Sequence, residues 1–230
     1  MTVRTIAAVK TARYVVLGPE AGPVDEVWVM CHGYGQLAPS FARHVAGAER
    51  PSRLVVVPEA LSRFYVRRGE TREADRPGAS WMTREAREDD IADTVRYLDD
   101  VFVAACARAD ADPRAVRLGA FGFSQGAATV TRWLALSPLL ASRTRRADRL
   151  VLWGGAMPHD LVLDAEAGWL AEADLTLVAG DRDPIATPGR VIQQERALDA
   201  AGVPHRTVSY TGAHRLTDRV VRDVTGRLGA

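Results

Sequence analysis

A serine between two glycines is the first feature of the chain that could do chemistry. Residues 122–126 read Gly-Phe-Ser-Gln-Gly, which fits the pattern G-x-S-x-G with Ser124 at its centre. This pattern is typical of a sharp turn from a strand into a helix, which exposes the serine hydroxyl and needs small residues on both sides. Since an apolar run precedes the motif and a helical pattern follows it, we predict that Ser124 is a nucleophile rather than part of an ordinary turn.

A histidine must accept the proton of such a serine. The chain has five histidines, and His214 is the one that lies between the last predicted strand and the last predicted helix. In folds that carry the serine in such a turn, the acid and then the histidine follow it along the chain, which places the base at this point. His205 precedes the same strand, at the opposite edge of the sheet, while His44 and His159 have no matching context. His214 is therefore the predicted base.

An acid must orient the imidazole of that histidine. Residues 179–184 read Ala-Gly-Asp-Arg-Asp-Pro and follow another predicted strand. Asp183 is favoured because Pro184 restricts it to an extended conformation that would hold its side chain in place. Asp181 is the alternative, although its position directly after a glycine suits a turn-stabilising role.

Backbone N–H groups would have to stabilise the anion that forms during attack on a carbonyl. One predicted donor is Gln125, the residue after the nucleophile, at the beginning of a helix. The second is Tyr34, because the segment 31–36, Cys-His-Gly-Tyr-Gly-Gln, follows a strand and its glycines let the backbone turn inward. The alternative is that residues 32 and 33 form only a tight turn.

Short apolar runs that alternate with longer amphipathic stretches must position these residues. This alternation predicts an α/β fold, with a mostly parallel sheet of about seven strands and helices on both faces. The predicted strands are Tyr14–Leu17, Val27–Cys31, Leu54–Val57, Val116–Phe121, Leu150–Trp153, Leu175–Val178 and Arg206–Tyr210. The predicted helices are Arg84–Ala107, Gln125–Leu136, Pro188–Ala201 and Leu216–Leu228.

One long segment shows no periodicity. Residues 61–84 are predicted to be an irregular loop, which either shapes a substrate pocket or is a solvated surface. The chain length of 230 residues and its 47% hydrophobic content favour a single domain over residues 1–230.

Composition excludes several classes of function. The formal net charge is +1, so no overall field would attract nucleic acid or an anionic membrane. Cys31 and Cys106 have no metal-ligand spacing and are expected to be free, buried thiols, so neither a metal nor a cofactor is predicted. Because no long apolar run follows the first charged residues, we expect a cytoplasmic protein without membrane insertion. Motif spacing does not indicate whether it is a monomer or a homodimer.

Taken in order, these motifs resemble the phospholipase/carboxylesterase branch of the α/β-hydrolases, which includes acyl-protein thioesterases and small bacterial carboxylesterases. The matching segments are 32–35, 122–126, 180–184 and 212–214, spread over most of the chain. The resemblance implies a metal-independent esterase that uses Ser124, Asp183 and His214, with backbone donors at Tyr34 and Gln125. Its partner would be a small-molecule ester.

The chain departs from that branch where the substrate would bind. Members acting on acylated proteins or lysophospholipids usually carry Asn-Ala-Pro and Trp-Phe-Asp segments, whereas residues 58–60 here read Pro-Glu-Ala and residues 79–82 read Ala-Ser-Trp-Met. Their substrates are therefore not transferred to this chain. The residues expected to wall an acyl pocket are Phe64, Tyr65, Trp81 and Met82, although such aromatics also serve as ordinary core.

Several alternatives remain open at this stage. A thioesterase, lysophospholipase, amidase or dienelactone-type hydrolase would use the same machinery, although the last commonly has a cysteine nucleophile. A non-catalytic ligand-binding protein of the same fold is a further alternative. Binding of an anionic substrate by the basic segment is another hypothesis, although neighbouring acids cancel much of its charge. The basic residues concerned are Arg63, Arg67, Arg68 and Arg72, and the acids are Glu70, Glu73 and Asp75.

Overall fold

The computed structural model describes residues 1–19, 22–67 and 75–226. These residues contain nine strands and seven α-helices. The strands are β1 (Tyr14–Leu17), β2 (Glu26–Cys31), β3 (Arg53–Pro58), β4 (Ser62–Val66), β5 (Arg76–Ser80), β6 (Arg117–Phe123), β7 (Arg149–Trp153), β8 (Asp174–Gly180) and β9 (His205–Tyr210). The helices are α1 (Ala38–Val45), α2 (Arg87–Arg108), α3 (Gln125–Leu136), α4 (Pro138–Ala141), α5 (Leu163–Glu172), α6 (Pro188–Ala200) and α7 (Asp218–Val224), with a 3₁₀ turn at Ala46–Ala48.

The central sheet has seven strands in the order β1-β3-β2-β6-β7-β8-β9. Only β1 is antiparallel to its neighbour, so the predicted mostly parallel sheet is confirmed, and all seven predicted strands lie in it. The register pairs Phe123 with Trp153 and Gly180 with Tyr210. The carboxyl ends of β6, β7, β8 and β9 therefore meet at one edge, where the loops that follow them come together.

Two cores cover the faces of this sheet. Successive residues of β2 point to opposite faces, so that Val27 and Val29 pack with α2 and α3 while Trp28 and Met30 pack with α1 and α7. These β2 side chains are completely buried. Cys31 and Cys106 are buried and free, as expected, and burial raises the pKa of both thiols.

The prediction of an irregular loop over residues 61–84 is wrong in part. Strands β4 and β5 lie in this segment and form a two-stranded antiparallel sheet of their own. Its stability comes from pairing across the segment and from a bridge between Gln36 and Ala79, which local periodicity does not reveal. The sequence pattern of a strand is least apparent in β5, because Pro77 and Gly78 have low strand propensity. Arg68 and Arg72 lie outside the described residues.

The predicted helices are confirmed with shifted ends, and three helices were not predicted. Helix α2 begins at Arg87 instead of Arg84, after Ala86 in the left-handed region. Helix α7 begins at Asp218 and ends at Val224, so it is shorter than the predicted Leu216–Leu228, the last residues of which lie outside the described ranges. The unpredicted helices α1, α4 and α5 are short.

Candidate active site

Ser124 lies at the turn between β6 and α3. Its backbone has φ 55° and ψ −117°, in a region that residues other than glycine rarely adopt. A Cβ atom on Gly122 would lie 2.3 Å from the carbonyl oxygen of Gly126, and one on Gly126 would lie 2.2 Å from that of Cys31. The turn is so close to neighbouring backbone that glycine is required on both sides of Ser124.

His214 and Asp183 lie together at the same edge of the sheet. The imidazole Nδ1 is 2.7 Å from Asp183 Oδ2, and the aspartate is 3% exposed. Because a carboxylate accepts hydrogen bonds, Nδ1 carries the proton and Nε2 is left as the basic nitrogen. The imidazole stacks on the ring of Phe123 at 4.8 Å between centroids, which places His214 beside the residue that precedes Ser124.

Asp183 accepts two further hydrogen bonds that fix its orientation. Its Oδ1 accepts from the backbone N–H groups of Ile185 and Ala186 at 2.8 and 2.9 Å. Both oxygens of the carboxylate are therefore engaged, one with the imidazole and one with its own loop. This arrangement keeps the carboxylate directed at His214.

Asp181, the alternative acid, contacts a different part of the histidine loop. Its Oδ1 accepts from the backbone N–H of Gly212 at 2.9 Å, and its side chain is about half exposed. The carbonyl of Gly212 in turn accepts from Arg182 N–H at 3.0 Å. Asp181 thus joins the acid loop to the histidine loop without contacting the imidazole.

Tyr210 was not singled out from the sequence. Its hydroxyl lies 2.8 Å from the carbonyl oxygen of Ala213 and 2.5 Å from that of Arg215, on either side of His214, and it shares its single proton between them. Trp153 Nε1 donates to the same hydroxyl at 3.3 Å. The position of this tyrosine at the end of the last strand, four residues before the histidine, is the signal that could have identified it.

The segment 33–36 leaves one N–H group free near the serine. Gly33 N–H donates to Gln36 Oε1 at 2.8 Å, Gly35 N–H to the Ala79 carbonyl at 2.9 Å, and Gln36 N–H to the Gly33 carbonyl at 3.2 Å. Among the described residues, the N–H groups of Tyr34 and Gln125 have no acceptor. A Cβ atom on Gly33 would lie 3.2 Å from the Cβ of Ser124, so this segment adjoins the serine.

The predicted pocket residues occupy two kinds of position. Phe64 packs on the Tyr34 ring at 5.0 Å, whereas Tyr65, the next residue of β4, is 74% exposed on the other side of the strand. Trp81 is buried, and its backbone N–H donates to Gln125 Oε1 at 3.2 Å. The Met82 carbonyl accepts from Gln125 Nε2 at 3.0 Å. Phe64, Trp81 and Met82 therefore contact the loop or helix that flanks Ser124.

The basic segment contributes less free charge than its composition suggests. Arg63 Nε is 2.7 Å from Glu59 Oε1, and the same carboxylate also binds Arg13 at 2.8 Å. Of the other three arginines named for an anionic substrate, Arg67 is described and exposed. The hypothesis of an anionic substrate rests on that residue and on the two that lie outside the described ranges.

His32 is a neutral, buried imidazole behind the segment 33–36. Its Nδ1 donates to the Gly33 carbonyl at 2.8 Å, and its Nε2 accepts from Ala60 N–H at 3.1 Å. Burial lowers the pKa of His32 from 6.5 to about 4, although the nearby Glu59 carboxylate acts in the opposite direction. The ring also lies 4.9 Å from that of Trp81, whose Nε1 donates to the His32 carbonyl at 2.7 Å.

This lowered pKa predicts a loss of stability in acid. Between pH 6.5 and pH 4 the unfolded chain binds a proton at His32 that the folded chain does not. The contribution of the neutral His32 to the free energy of unfolding is therefore complete above pH 6.5 and falls as the pH approaches 4. From pH 7 to pH 4 we expect the free energy of unfolding to fall by about 3 kcal/mol more for the wild type than for His32→Gln. Urea unfolding at stepped pH measures this free energy for both proteins. Parallel plots of the free energy of unfolding against pH would contradict the expectation.

The described residues also bear on metal binding and on membrane insertion. Within them, no group of three or more histidine, cysteine, aspartate or glutamate side chains could hold a metal ion. No helix in residues 1–19, 22–67 or 75–226 combines the length and the apolar character needed to cross a membrane.

Comparison with known proteins establishes the fold. Acyl-protein thioesterase 2 of Zea mays is 19% identical with a TM-score of 0.69, covering 95% of this chain and 100% of that one. Esterase PE8 is 20% identical with a TM-score of 0.65, covering 94% and 97%. The Bacillus cereus carboxylesterase is 16% identical with a TM-score of 0.62, covering 93% and 92%. The protein therefore has the α/β-hydrolase fold.

Comparisons based on sequence alone give no match. Neither the models of protein families nor the curated proteins include one that the chain matches. Three of the solved structures that it resembles are named as an acyl-protein thioesterase, an esterase and a carboxylesterase, and at these identities the likeness defines the fold.

Proposed function

We propose that the protein is a serine hydrolase that cleaves carboxylic esters through an acyl-enzyme on Ser124. The observation that carries the proposal is the hydrogen bond of 2.7 Å between His214 and the buried Asp183, with the imidazole stacked on Phe123, the residue before a serine in a strained turn. A pure ligand-binding protein has no use for such an arrangement, since a bound ligand needs neither a base nor an orienting acid. The non-catalytic alternative is for this reason not favoured.

In the proposed reaction, each of these groups has a defined role. His214 Nε2 takes the proton of the Ser124 hydroxyl as the oxygen attacks the ester carbonyl, and Asp183 stabilises the resulting imidazolium. The free N–H groups of Tyr34 and Gln125 donate to the oxyanion. His214 then gives its proton to the departing alkoxide, which leaves as the alcohol. Water, deprotonated by the same histidine, hydrolyses the acyl-enzyme and releases the acid.

Thioester cleavage is the second candidate, because one similar structure is named an acyl-protein thioesterase and others are named esterases. The same attack on a thioester carbonyl expels a thiol instead of an alcohol. The acyl group, and therefore the pocket, is common to both reactions. Comparison of leaving groups with a constant acyl chain separates the two.

The test combines covalent labelling with two substrate series. We expect a fluorophosphonate to add one adduct to the wild type and peptide mapping to place it on Ser124. p-Nitrophenyl esters from acetate to palmitate size the pocket, and oxygen esters and thioesters with the same acyl chain compare kcat/KM between leaving groups. A folded wild-type protein that shows no turnover and no adduct would exclude both enzymatic proposals and favour a ligand receptor.

A further inference from the structure

The hydrogen bonds of His32 determine its tautomer. The Gly33 carbonyl accepts only, so Nδ1 must carry a proton, and Ala60 N–H donates only, so Nε2 must be bare. The imidazole is completely buried and its ring packs near those of Trp81 and Phe41 at 4.9 and 6.3 Å. The hydrogen bonds of its two nitrogens and the packing of the neighbouring rings consequently fix the orientation of the imidazole.

The carbonyl held by His32 belongs to the same peptide unit as the N–H of Tyr34. A peptide unit is planar and trans, so the C=O of Gly33 and the N–H of Tyr34 point in opposite directions. A hydrogen bond to the carbonyl therefore sets the direction in which the N–H points. This N–H is the one in the segment 33–36 without an acceptor among the described residues.

We propose that His32 is a positioning residue, which directs the Tyr34 N–H at the oxyanion by holding the carbonyl of Gly33. The inference rests on the proposed function, in which that N–H is an oxyanion donor. Donation from Nδ1 to the carbonyl also polarises the peptide unit and strengthens the N–H as a donor. Gln36 N–H donates to the same carbonyl at 3.2 Å, so both lone pairs of the oxygen are used.

The surroundings make the imidazole a rigid support. Its Nε2 is tied to Ala60, two residues beyond the end of β3, and its backbone carbonyl is tied to Trp81, directly after β5. A Cβ atom on Gly126 would lie 2.7 Å from the same carbonyl, so helix α3 also abuts this residue. His32 therefore contacts both the segment 33–36, which carries the Tyr34 N–H, and helix α3, which supplies the second donor.

Two substitutions separate the positioning role from a structural role. In His32→Asn the side-chain amide N–H reaches the Nδ1 position and still donates to Gly33, but nothing accepts from Ala60. In His32→Gln the amide oxygen reaches the Nε2 position and accepts from Ala60, but the side chain no longer donates to the Gly33 carbonyl, which keeps only the hydrogen bond from Gln36 N–H. Each variant loses one of the two hydrogen bonds of the imidazole, and melting temperatures measured before the assays compare the stability of the two variants.

We expect His32→Gln to lower kcat about 10- to 100-fold with KM within about twofold, and His32→Asn to keep kcat within about threefold. A trifluoromethyl ketone inhibitor adds a second readout, because Ser124 converts it into a hemiketal oxyanion. Its inhibition constant should weaken in His32→Gln by the same factor as kcat/KM and stay unchanged in His32→Asn. Equal losses of kcat in both variants, or no loss in either, would overturn the inference.

Measurement on the wild type keeps the test independent of variant folding. Nuclear magnetic resonance of ¹⁵N-labelled histidine should show a buried imidazole that is protonated on Nδ1 and bare on Nε2 at pH 7. The opposite tautomer would overturn the positioning role even if the wild type hydrolyses esters. Absence of any ester or thioester turnover in the wild type would instead overturn the proposed function, and the inference with it.

Discussion

Replacing Ser124 by alanine should lower kcat/KM for p-nitrophenyl esters by about 10⁴-fold or more and abolish fluorophosphonate labelling. The nucleophile is lost while the rest of the site remains, so His214 and the two N–H donors still accelerate direct attack by water to a small extent. Alanine carries a Cβ as serine does, so the turn at φ 55° retains its strain and its shape. Steady-state kinetics and intact mass give the two readouts.

Ser142→Ala is the matched control for this substitution. Ser142 is exposed directly after α4, outside the turn that contains Ser124, and its hydroxyl donates to the Leu139 carbonyl at 2.7 Å. We expect its kcat/KM and its labelling to equal those of the wild type. Substantial turnover by purified Ser124→Ala, with an adduct mapped to another residue, would show that a different side chain is the nucleophile.

The sequence predicted the sharp turn at Ser124 because all the requirements of this turn are local. Gly122, Ser124 and Gly126 lie within five residues, and the apolar run before them and the amphipathic pattern after them define the strand and the helix. The buried strands were equally visible, since a strand that is covered on both faces is a continuous apolar run. The structure adds the strained φ of Ser124 and the contacts that require glycine on either side.

Features that depend on contacts between distant residues were not predictable. The β4–β5 pair depends on Ala79 meeting Gln36 and on Phe64 lying opposite Gly78, across residues whose local pattern is irregular. A Cβ atom on Gly78 would lie 2.5 Å from the Gly35 carbonyl, a proximity that no periodicity reports. The support that His32 and Tyr210 give to their loops has the same origin, because their partners are defined by the fold.

Asp183→Asn should lower kcat by about 10³- to 10⁴-fold, the second of the two largest effects expected for this site. All three groups that contact the carboxylate are donors: the His214 imidazole and the N–H groups of Ile185 and Ala186. An asparagine keeps its amide oxygen towards the two backbone donors and must turn its NH₂ group towards the imidazole. That orientation favours the tautomer with the proton on Nε2, which cannot accept the proton of Ser124.

The matched variant Asp181→Asn separates the two candidate acids. Among the described residues, Asp181 accepts a hydrogen bond from Gly212 N–H, which an amide oxygen can also accept, and forms a longer ion pair with Arg182 at 3.6 Å. We therefore expect Asp181→Asn to keep kcat within about fivefold, because the side chain is half exposed and does not contact the imidazole. Steady-state kinetics of both variants decide between the two acids, because only the loss of the partner of the imidazole changes which nitrogen of His214 carries the proton. A larger loss in Asp181→Asn than in Asp183→Asn would assign the acid to Asp181.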